Sequence, residues 1–600
     1  MPPQSPESGF YQTWTIKPLW LLLATVLLVA GGIRQSYGQN PGISWLQQGD
    51  VLVGEARSDF TRADTLRGSL RPERTSWDVQ HYNLFFHFNF FDSTYRGIVY
   101  LTAEIVQPLP DSIQIDLQQP LKMTKVAKPR SRLAYRYRRA NNVVWVYTDK
   151  LEKKAVGDTL LLELRFEGPM RIAPNPPWDG GFAISTDRKG RLWFGLSCEG
   201  LGASAWWPCK DHLYDEPDSG ASITAVLDQY EEYPEEWRSK FEFVANGVPQ
   251  NALVGEGEYR HTWNVQNPIN NYNISITGGC FRHFSDTLNG MQGQLPLDYY
   301  VLDYNLEKAQ EHFRQVKPML HCFEKTMGPY AFYEDGYALV ETPYWGMEHQ
   351  GAIAYGNDYK NHRFGFDFII IHESGHEWWG NNISTRDHAE LWIHESFTTY
   401  SEFLYLECTQ SYNTAVDYLM GQRRRIADKD AVMGPLGVNF TDFASADMYY
   451  KGAWMLHAIR RTLADDERFL EAWRAARDTF YQKQISSREL ISFLVNYWGE
   501  ESLPIFRQYL TYIQPPVLEY YIGPNEDGHG LFYRWKAGFE DFRMPIFVRE
   551  RPDELHRLAT TTTWQYRTIP HSWVAESGDL KIDPTSAYFN TQKVPEPPPR

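Results

Sequence analysis

The chain has 600 residues, 42% of them hydrophobic and 22% charged, which describes an ordinary globular protein with room for several domains. Its formal net charge of −16 argues against nucleic acid and anionic membrane surfaces as partners, because phosphate binding needs a basic surface. The 5 cysteines are scattered and do not resemble a disulfide framework.

The N-terminus carries the features of an export signal. Lys17 precedes the apolar run Leu19–Ala30, and Ser36-Tyr37-Gly38 supplies small residues of the kind a signal peptidase reads. The run is shorter than the roughly 20 apolar residues that a membrane-spanning helix needs. We predict a signal peptide at 1–38 and an exported protein, periplasmic or extracellular. An uncleaved signal that anchors the protein to the membrane is the alternative.

A polar lead-in at 39–74 is followed by a strand-like pattern. From Trp77 to Cys280, β-branched, aromatic and leucine-rich runs such as Tyr82–Phe90 and Leu160–Phe166 are separated by Gly, Pro, Asp and Asn turns. This pattern predicts an all-β N-terminal domain at 75–285. The high aromatic content of 15% favours aromatic packing in sheet cores over a surface that stacks sugars or bases.

The pattern turns mainly helical from Leu306 to Ile513, with amphipathic stretches such as Ala453–Leu463. Pro515-Pro516 interrupts it, and short β-like runs such as Gly530–Trp535 follow. We predict a mainly helical domain at 286–515, a small β domain at 516–590 and a disordered, proline-rich tail at 591–600. The fold class is therefore α+β and multidomain.

The segment that carries the most chemistry contains His372-Glu373-Ser374-Gly375-His376, an H-E-x-x-H motif. Histidines four apart lie on one helix face, so both imidazoles can hold one metal ion, and Glu373 beside them can act as a general base. Glu395 can return from a second helix as a third ligand. We predict one Zn²⁺ per chain, bound by His372, His376 and Glu395 with one coordination position open.

The surroundings of the motif favour a buried helix over an exposed one that carries His and Glu by chance. Phe368–Ile371 is strongly apolar, Asp367 has the chemistry of an N-cap, and Gly380-Asn381-Asn382 is a predicted stop. Three potential ligands on buried helices are costly unless something pairs them.

This zinc signature resembles that of the M1 family of aminopeptidases, and three other segments agree in order and spacing. Trp345–Gln350 resembles the family's Gly-x-Met-Glu-Asn exopeptidase motif, and Tyr449–Gly452 resembles its Tyr-x-Lys-Gly motif. Cys198–Pro217 resembles its segment ending Pro-Cys-x-Asp-Glu-Pro. The resemblance implies a thermolysin-like catalytic domain at 286–515 and a β-sandwich-like fold at 516–590.

The chain departs from the family pattern in three places. Trp345 stands where the family has Gly, His349 stands where it has Asn, and Lys210–Tyr214 replaces a single residue. The change at Trp345 falls on the strip expected to bind the peptide. The side-chain preference of the first substrate pocket is therefore left open by the sequence, as are the oligomeric state and the state of the cysteines.

The resemblance also implies roles in binding and catalysis. Tyr449 would donate a hydrogen bond to the oxyanion, whereas Tyr450 would point elsewhere, because adjacent helical residues point about 100° apart. Glu199 and Glu348 would bind a free α-ammonium by charge-assisted hydrogen bonds. The remaining implied residues are Gly346 and Met347 in the peptide-binding strip and Glu402 as the carboxylate that orients a histidine ligand. From its position after the motif, Asn381 is expected to orient the helix end.

We therefore predict an exported zinc aminopeptidase that acts on peptides with a free N-terminus. A thermolysin-type endopeptidase is an alternative that would not need Glu199 and Glu348. A catalytically silent peptide-binding protein on the same fold is another, although such proteins typically lose a ligand or the base, and here all are present. Epoxide hydrolysis, which also occurs in the family, has no sequence feature to support it.

Overall fold

The computed structural model describes residues 60–596, apart from 152–153, 251, 256–257, 442, 527 and 552–553. The predicted signal peptide at 1–38, the lead-in up to residue 59 and residues 597–600 of the predicted tail lie outside the described residues. Within the described part of the chain, no helix combines the length and apolarity needed to cross a bilayer.

Two short helices lie in the lead-in, α1 at Arg62–Gly68 and α2 at Pro72–Thr75. A capping box begins α1: Thr61 accepts from the backbone of Asp64, whose side chain accepts from the backbone of Thr61. Neither helix was predicted from the sequence, because both are too short and polar to show an apolar period.

The β-rich region that follows begins with two long antiparallel strands. Its elements are β1 Trp77–Asn89, β2 Thr94–Ile105, β3 Ser112–Asp116, β4 Lys122–Ala127, β5 Tyr137–Ala140, β6 Val143–Tyr147, β7 Thr159–Pro169, β8 Gly181–Thr186, β9 Leu192–Ser197, β10 Ala221–Leu227, α3 Glu235–Arg238, β11 Phe241–Ala245, β12 Val248–Pro249, β13 Leu253–Gly255 and β14 Glu258–Val265. One sheet has the order β12-β14-β10-β1-β2-β7-β4, with β13 beside β14, and a smaller one has the order β3-β6-β5. Alternate residues of β1, including Tyr82, Leu84 and Phe86, face the core, as the two-residue period of a strand requires.

A second large sheet joins the β-rich region to the helical one. Its later strands are β15 Ile276–Gly290, β16 Gly293–Leu302, β17 Tyr337–Glu341, β18 Gly346–Met347 and β19 Ile353–Tyr355. The order is β18-β19-β17-β16-β15-β9-β8, with β11 beside β15. The sheet therefore crosses residue 285, where the sequence predicted a domain boundary, and its edge strand β18 carries Gly346 and Met347.

Helices dominate the next part of the chain. They are α4 Leu306–His312, α5 Val316–Met327, α6 Phe368–Gly375, α7 Trp392–Thr409, α8 Tyr412–Gln422, α9 Asp447–Leu463, α10 Asp466–Thr479, α11 Ser487–Trp498 and α12 Leu503–Thr511. The short strands β20 Ile383–Thr385 and β21 Lys483–Ile485 pair in parallel beside them. The predicted α+β class, with a β-rich N-terminal region and a helical region, is confirmed.

The last region is again β-structured. Its strands are β22 Val517–Asn525, β23 Gly528–Lys536, β24 Ile546–Arg551, β25 Glu554–Leu558, β26 Gln565–Ile569 and β27 Asn590–Lys593. Four of them form a sheet in the order β26-β23-β22-β27, and β24 pairs with β25. The prediction of disorder from residue 591 is wrong for the first residues of the tail: Thr591, Gln592 and Lys593 pair in parallel with β22. This edge strand is exposed along its length and held by its backbone, so its polar sequence gave no signal.

Two hydrophobic clusters organise the molecule. One fills the β-rich region, from Trp77 to Ala354, and the other runs from Leu288 through the helices to Phe589. The C-terminal strands therefore share a core with the helices. Both clusters reach the β16–β19 segment of the large sheet, which lies between them and beside the predicted metal site.

Candidate metal centre

Helices α6 and α7 pack against each other and carry the predicted metal ligands. Gly375 allows the close approach, because a Cβ added there would lie 3.1 Å from Thr398 Cγ2. The predicted N-cap of α6 is confirmed, since the Asp367 carboxylate accepts from the backbone of Ile369 at 3.0 Å. The helix ends at Gly375, earlier than the stop predicted at Gly380–Asn382, because the chain continues through turns such as Trp379 N to Gly375 O.

The structure brings His372, His376 and Glu395 together. The two Nε2 atoms lie 3.3 Å apart, and each lies 3.5 Å from Glu395 Oε2. All three side chains are buried. The three atoms thus form a nearly equilateral triangle. Glu395 Oε2 is buried and has no hydrogen-bond partner among the described residues.

This triangle has the dimensions of a metal site. Three ligands of a tetrahedral zinc ion, with bonds of about 2.0–2.1 Å, lie about 3.3–3.4 Å from one another. Two imidazoles and one carboxylate are also the donor set of catalytic zinc sites that keep one position open. The residues present therefore fit a zinc ion in both distance and chemistry.

Each histidine is fixed in the tautomer that a metal requires. His372 Nδ1 donates to Glu402 Oε1 at 2.7 Å, because a carboxylate can only accept, and His376 Nδ1 donates to Trp379 O at 3.0 Å. Both Nε2 lone pairs are then free to face the metal position. Thr398 Oγ1, 3.2 Å from His376 Nδ1, completes the arrangement around the second ring.

Glu402 is itself held in place, as an orienting carboxylate must be. Its Oε2 accepts from Tyr418 OH and, at 2.8 Å, from Gln422 Nε2. Tyr418 and Gln422 lie one turn apart on α8 and were missed by the sequence analysis. The spacing of two polar residues on one face of an amphipathic helix was the available signal.

Asn381, which was predicted to orient the helix end, lies in the turn that follows α6. Its Nδ2 donates to the backbone oxygen of Glu348 at 3.0 Å, and its Oδ1 accepts from Asn273 at 2.6 Å. Its backbone N–H bonds His376 O at 2.9 Å. Because α6 has already ended, this residue ties the following turn to the segment after β18.

Three further predicted residues converge beside the triangle. Ligand atoms of Glu348, Glu373 and His376 all lie within 4.8 Å of one another. Glu348 Oε1 accepts from Tyr272 OH at 2.9 Å, a contact that the sequence did not reveal. Glu199 Oε1 is buried without a hydrogen-bond partner among the described residues, and the negative charge of Glu348 acts on it.

The carboxylates influence one another strongly. Burial, then the charge of Glu348, raises the pKa of Glu199 well above its ordinary value. Burial, together with charges that include Glu395, raises the pKa of Glu348 to about 7 and of Glu373 to about 8. Burial alone would also raise the pKa of Glu395, but His376 and His372 hold it below the ordinary value. Among the described residues, no lysine or arginine forms an ion pair with any of these four acids.

Tyr449 lies on the metal centre and Tyr450 does not. The Tyr449 ring stacks on His372, with centroids 6.0 Å apart, whereas Tyr450 OH accepts from Arg425 at 2.8 Å. Gly452 explains how α9 comes so close, because a Cβ there would lie 1.8 Å from the hydroxyl oxygen of Ser396, the neighbour of Glu395. Burial and the Glu395 carboxylate raise the pKa of Tyr449 well above its ordinary value, so its hydroxyl stays a donor.

The strip at β18 passes directly over the general-base position. A Cβ added to Gly346 would lie 2.6 Å from Glu373 Oε1, so only glycine fits there without displacing the carboxylate. Met347 is buried against the β-rich core. His349 is buried, its Nε2 has no partner among the described residues, and burial lowers its pKa to about 3. His349 is therefore neutral and adds no charge to the site.

Comparisons with known proteins agree with the resemblance seen in the sequence. Residues 319–509 match the model of the peptidase family M1 domain. Leucine aminopeptidase 2 of Aspergillus niger is 24% identical over 224 residues, covering 36% of this chain and 33% of that protein. Aminopeptidase B of Rattus norvegicus is 24% identical over 222 residues, covering 34% of each. The matches thus span about a third of the length of these relatives.

A solved structure extends the similarity in fold beyond the matched segment. The M1 zinc metallopeptidase from Deinococcus radiodurans superposes with a TM-score of 0.59 at 19% identity, covering 73% of this chain and 95% of that one. A mutant of that protein is described as bound to a Tyr-Ser-Ala substrate. The M1 resemblance is confirmed for residues 319–509, which match the model of the peptidase family M1 domain.

Proposed function

We propose that this protein is a zinc-dependent aminopeptidase that hydrolyses the first peptide bond of peptides with a free N-terminus. The observation that carries the proposal is the triangle of two imidazoles and one carboxylate, which lies beside three acids without a cationic partner in the described chain. The aminopeptidase names of the matching relatives support the same activity.

His372, His376 and Glu395 would hold one Zn²⁺ per chain. When bound, zinc supplies Lewis-acid polarisation of the substrate carbonyl and a lowered pKa for the attacking water. The bonds from His372 to Glu402 and from His376 to Trp379 O keep both rings oriented for this task.

Glu373 would take the proton from the attacking water and return it to the leaving amine. Its carboxylate lies against the backbone of Gly346, so it would face the peptide bond of a substrate bound along β18. Tyr449 would donate its hydroxyl hydrogen to the oxygen that becomes negative during the attack.

Glu199 and Glu348 would bind the α-ammonium of the substrate and so limit cleavage to the first bond. Tyr272 and Asn381 hold the Glu348 segment from the side chain and the backbone. A positive ammonium would supply the cation that these acids lack, which is why the aminopeptidase is favoured over a thermolysin-type endopeptidase.

A panel of aminoacyl-coumarins, each with its N-acetylated analogue, tests the proposal. We expect hydrolysis of the free substrates, loss of activity with a chelator, recovery on adding zinc, and a loss of about 10²-fold or more on acetylation, since a buried charge pair is broken. Equal cleavage of acetylated substrates would indicate an endopeptidase. Binding without cleavage at full zinc loading would indicate the silent peptide-binding protein.

Export remains part of the proposal. Its support is the sequence of the leader, with Lys17 before the apolar run Leu19–Ala30. Mass spectrometry of the mature protein should place its N-terminus at or near Gln39. Recovery at the unprocessed mass in the membrane fraction would indicate the uncleaved anchor instead.

A further inference from the structure

Two exposed tryptophans lie next to the candidate metal centre. Trp345 is 43% exposed and Trp178 is 61% exposed, and among the described tryptophans these are the ones that count as exposed. The ring centroids of Trp178 and Trp345 are 6.4 Å apart. Single apolar residues on a surface are ordinary, but a pair of large exposed rings in contact beside a buried polar site is a binding feature.

The Trp345 ring is connected to the metal centre through stacked rings. It stacks on Phe368 with centroids 5.5 Å apart, and Phe368 stacks on His372 at 5.1 Å. Trp345 Nε1 also donates to Asn357 Oδ1 at 3.1 Å, and Asn357 in turn donates to the N-cap Asp367 at 2.8 Å. The indole is thus fixed relative to α6, with one part of its surface left open to solvent.

Trp178 approaches from the β-rich region. It lies in the segment between β7 and β8, where the neighbouring Pro177 accepts from Ser197 Oγ at 3.0 Å. Ser197 ends β9, two residues before Glu199. The two tryptophans therefore meet across the junction of the two regions. Trp178 is tied through Pro177 to the strand that leads to Glu199, and Trp345 lies three residues before Glu348.

The order of residues along β18 determines which part of a bound substrate would contact Trp345 and Trp178. With the ammonium at Glu348 and the first peptide bond at Gly346, which lies against Glu373, the next position along the strip is Trp345. Extended residues are spaced by about 3.3 Å, so Trp345 lies about one residue spacing beyond Gly346. An extended peptide would bring its second residue, the first one of the released product, to this position.

We propose that Trp345 and Trp178 form an aromatic platform that binds an apolar or aromatic side chain on the second residue of the substrate. This assignment rests on the proposed aminopeptidase function. It makes Trp345, which stands where the M1 motif has glycine, a specificity-determining residue. Side chains without apolar surface, such as that of a second-position glycine, gain nothing from the platform.

Dipeptide amides Leu-Gly-NH₂, Leu-Ala-NH₂ and Leu-Phe-NH₂ test the platform. We expect the wild type to have a kcat/KM about 10-fold higher for Leu-Phe-NH₂ than for Leu-Gly-NH₂, in line with the value of aromatic contacts. Trp345→Ala and Trp178→Ala should each lower that ratio, and Trp345→Phe should keep most of it. Tyr566→Ala removes a ring that is 55% exposed on β26, and this control should leave the ratio unchanged.

The ratio of two substrates is independent of the fraction of folded enzyme, so a poorly folding variant does not imitate the effect. Dissociation constants for the same amides, measured by intrinsic fluorescence in Glu373→Gln, should show the same preference. If Leu dipeptides are hydrolysed but both tryptophan variants keep the wild-type ratio, the platform is wrong and the proposed function stands. If none is hydrolysed, the proposed function fails, and equal dissociation constants would then overturn the platform as well.

Discussion

The molecule contains two buried clusters of ionisable side chains with opposite character. The closed cluster, below the lead-in, consists of Arg74, Asp116, Lys210 and Asp215. Arg74 pairs with Asp116 at 2.7 Å, and Lys210 pairs with Asp215. The open cluster, at the metal centre, consists of Glu199, Glu348, Glu373 and Glu395, none of which has a lysine or arginine partner among the described residues.

The difference separates structure from function. In the closed cluster each buried charge meets an opposite charge of the same chain, so the cost of burial is offset within the protein. In the open cluster the cations are absent from the described chain, and a metal ion and a substrate ammonium would supply them. A buried cluster that lacks one sign of charge therefore indicates a ligand of that sign.

The closed cluster also accounts for the insertion at Lys210–Tyr214, where the M1 motif has a single residue. Besides Asp215, Lys210 Nζ contacts Tyr214 OH at 2.8 Å, and Tyr214 OH donates to Arg74 O at 2.9 Å. His212 Nε2 lies 3.1 Å from Gly68 O at the end of α1. The inserted residues attach the lead-in helices to the β-rich region and belong to the closed cluster.

Substitution of the general base Glu373 should have the largest effect on catalysis of any change in the open cluster. We expect Glu373→Gln to lower kcat by about 10²- to 10⁴-fold while zinc remains bound, because the amide cannot accept a proton. Steady-state kinetics with elemental analysis measures both. Glu311→Gln, at an exposed glutamate, is the matched control. Retained turnover at full zinc loading would remove Glu373 from the mechanism.

The closed cluster should respond in stability and not in chemistry. Lys210→Met leaves Asp215 buried and unpaired, so we expect the free energy of unfolding to fall by about 3–5 kcal/mol. Denaturant titration measures this, and Lys210→Met with Asp215→Leu should recover much of the loss because neither charge remains. If Lys210→Met alone had normal stability but weakened zinc binding, this result would contradict the division between the two clusters.

Tyr449 sharpens the assignment within the open cluster. Tyr449→Phe should lower kcat by about 10²- to 10³-fold with little change in KM, the cost of losing one donor to the oxyanion. Tyr450→Phe is the matched control, since Tyr450 OH bonds Arg425 and faces away from the triangle. A raised KM with an unchanged kcat would instead assign Tyr449 to ground-state binding.

Glu373 and Glu395 were predicted from the H-E-x-x-H motif and its spacing, whereas Glu199 and Glu348 were predicted from the resemblance to M1 motifs. His372 and His376 are one turn apart, and Gly346 and Gly452 occupy places where any larger side chain would collide with Glu373 or Ser396. Features that depend on the spacing of nearby residues can be predicted from the sequence. The α+β pattern was readable for the same reason, because strand and helix periods are local.

The rest could not be read, because it depends on contacts between distant segments. Tyr272 reaches Glu348 over 76 residues of chain, and Tyr418 reaches Glu402 from another helix. The exposed strand β27 pairs with β22 through its backbone, and α6 ends at Gly375 through turns that no single residue type specifies. Neither residue identity nor spacing records these features.

Glu402 was predicted from the sequence, but the residues that hold it were not. Of the four substitutions proposed here, the one at Glu402 should have the smallest effect. Like the acids of the closed cluster, Glu402 is held by other side chains of the protein, here Tyr418 and Gln422. Its other oxygen accepts from the metal ligand His372 at 2.7 Å. Glu402→Gln should weaken zinc binding by about 10- to 100-fold, as losses at residues that orient metal ligands do. Competition with a chromophoric chelator measures this, and at saturating zinc kcat should return towards the wild-type value. A kcat that stays low at full loading would show that Glu402 acts on the reaction and not through the orientation of His372.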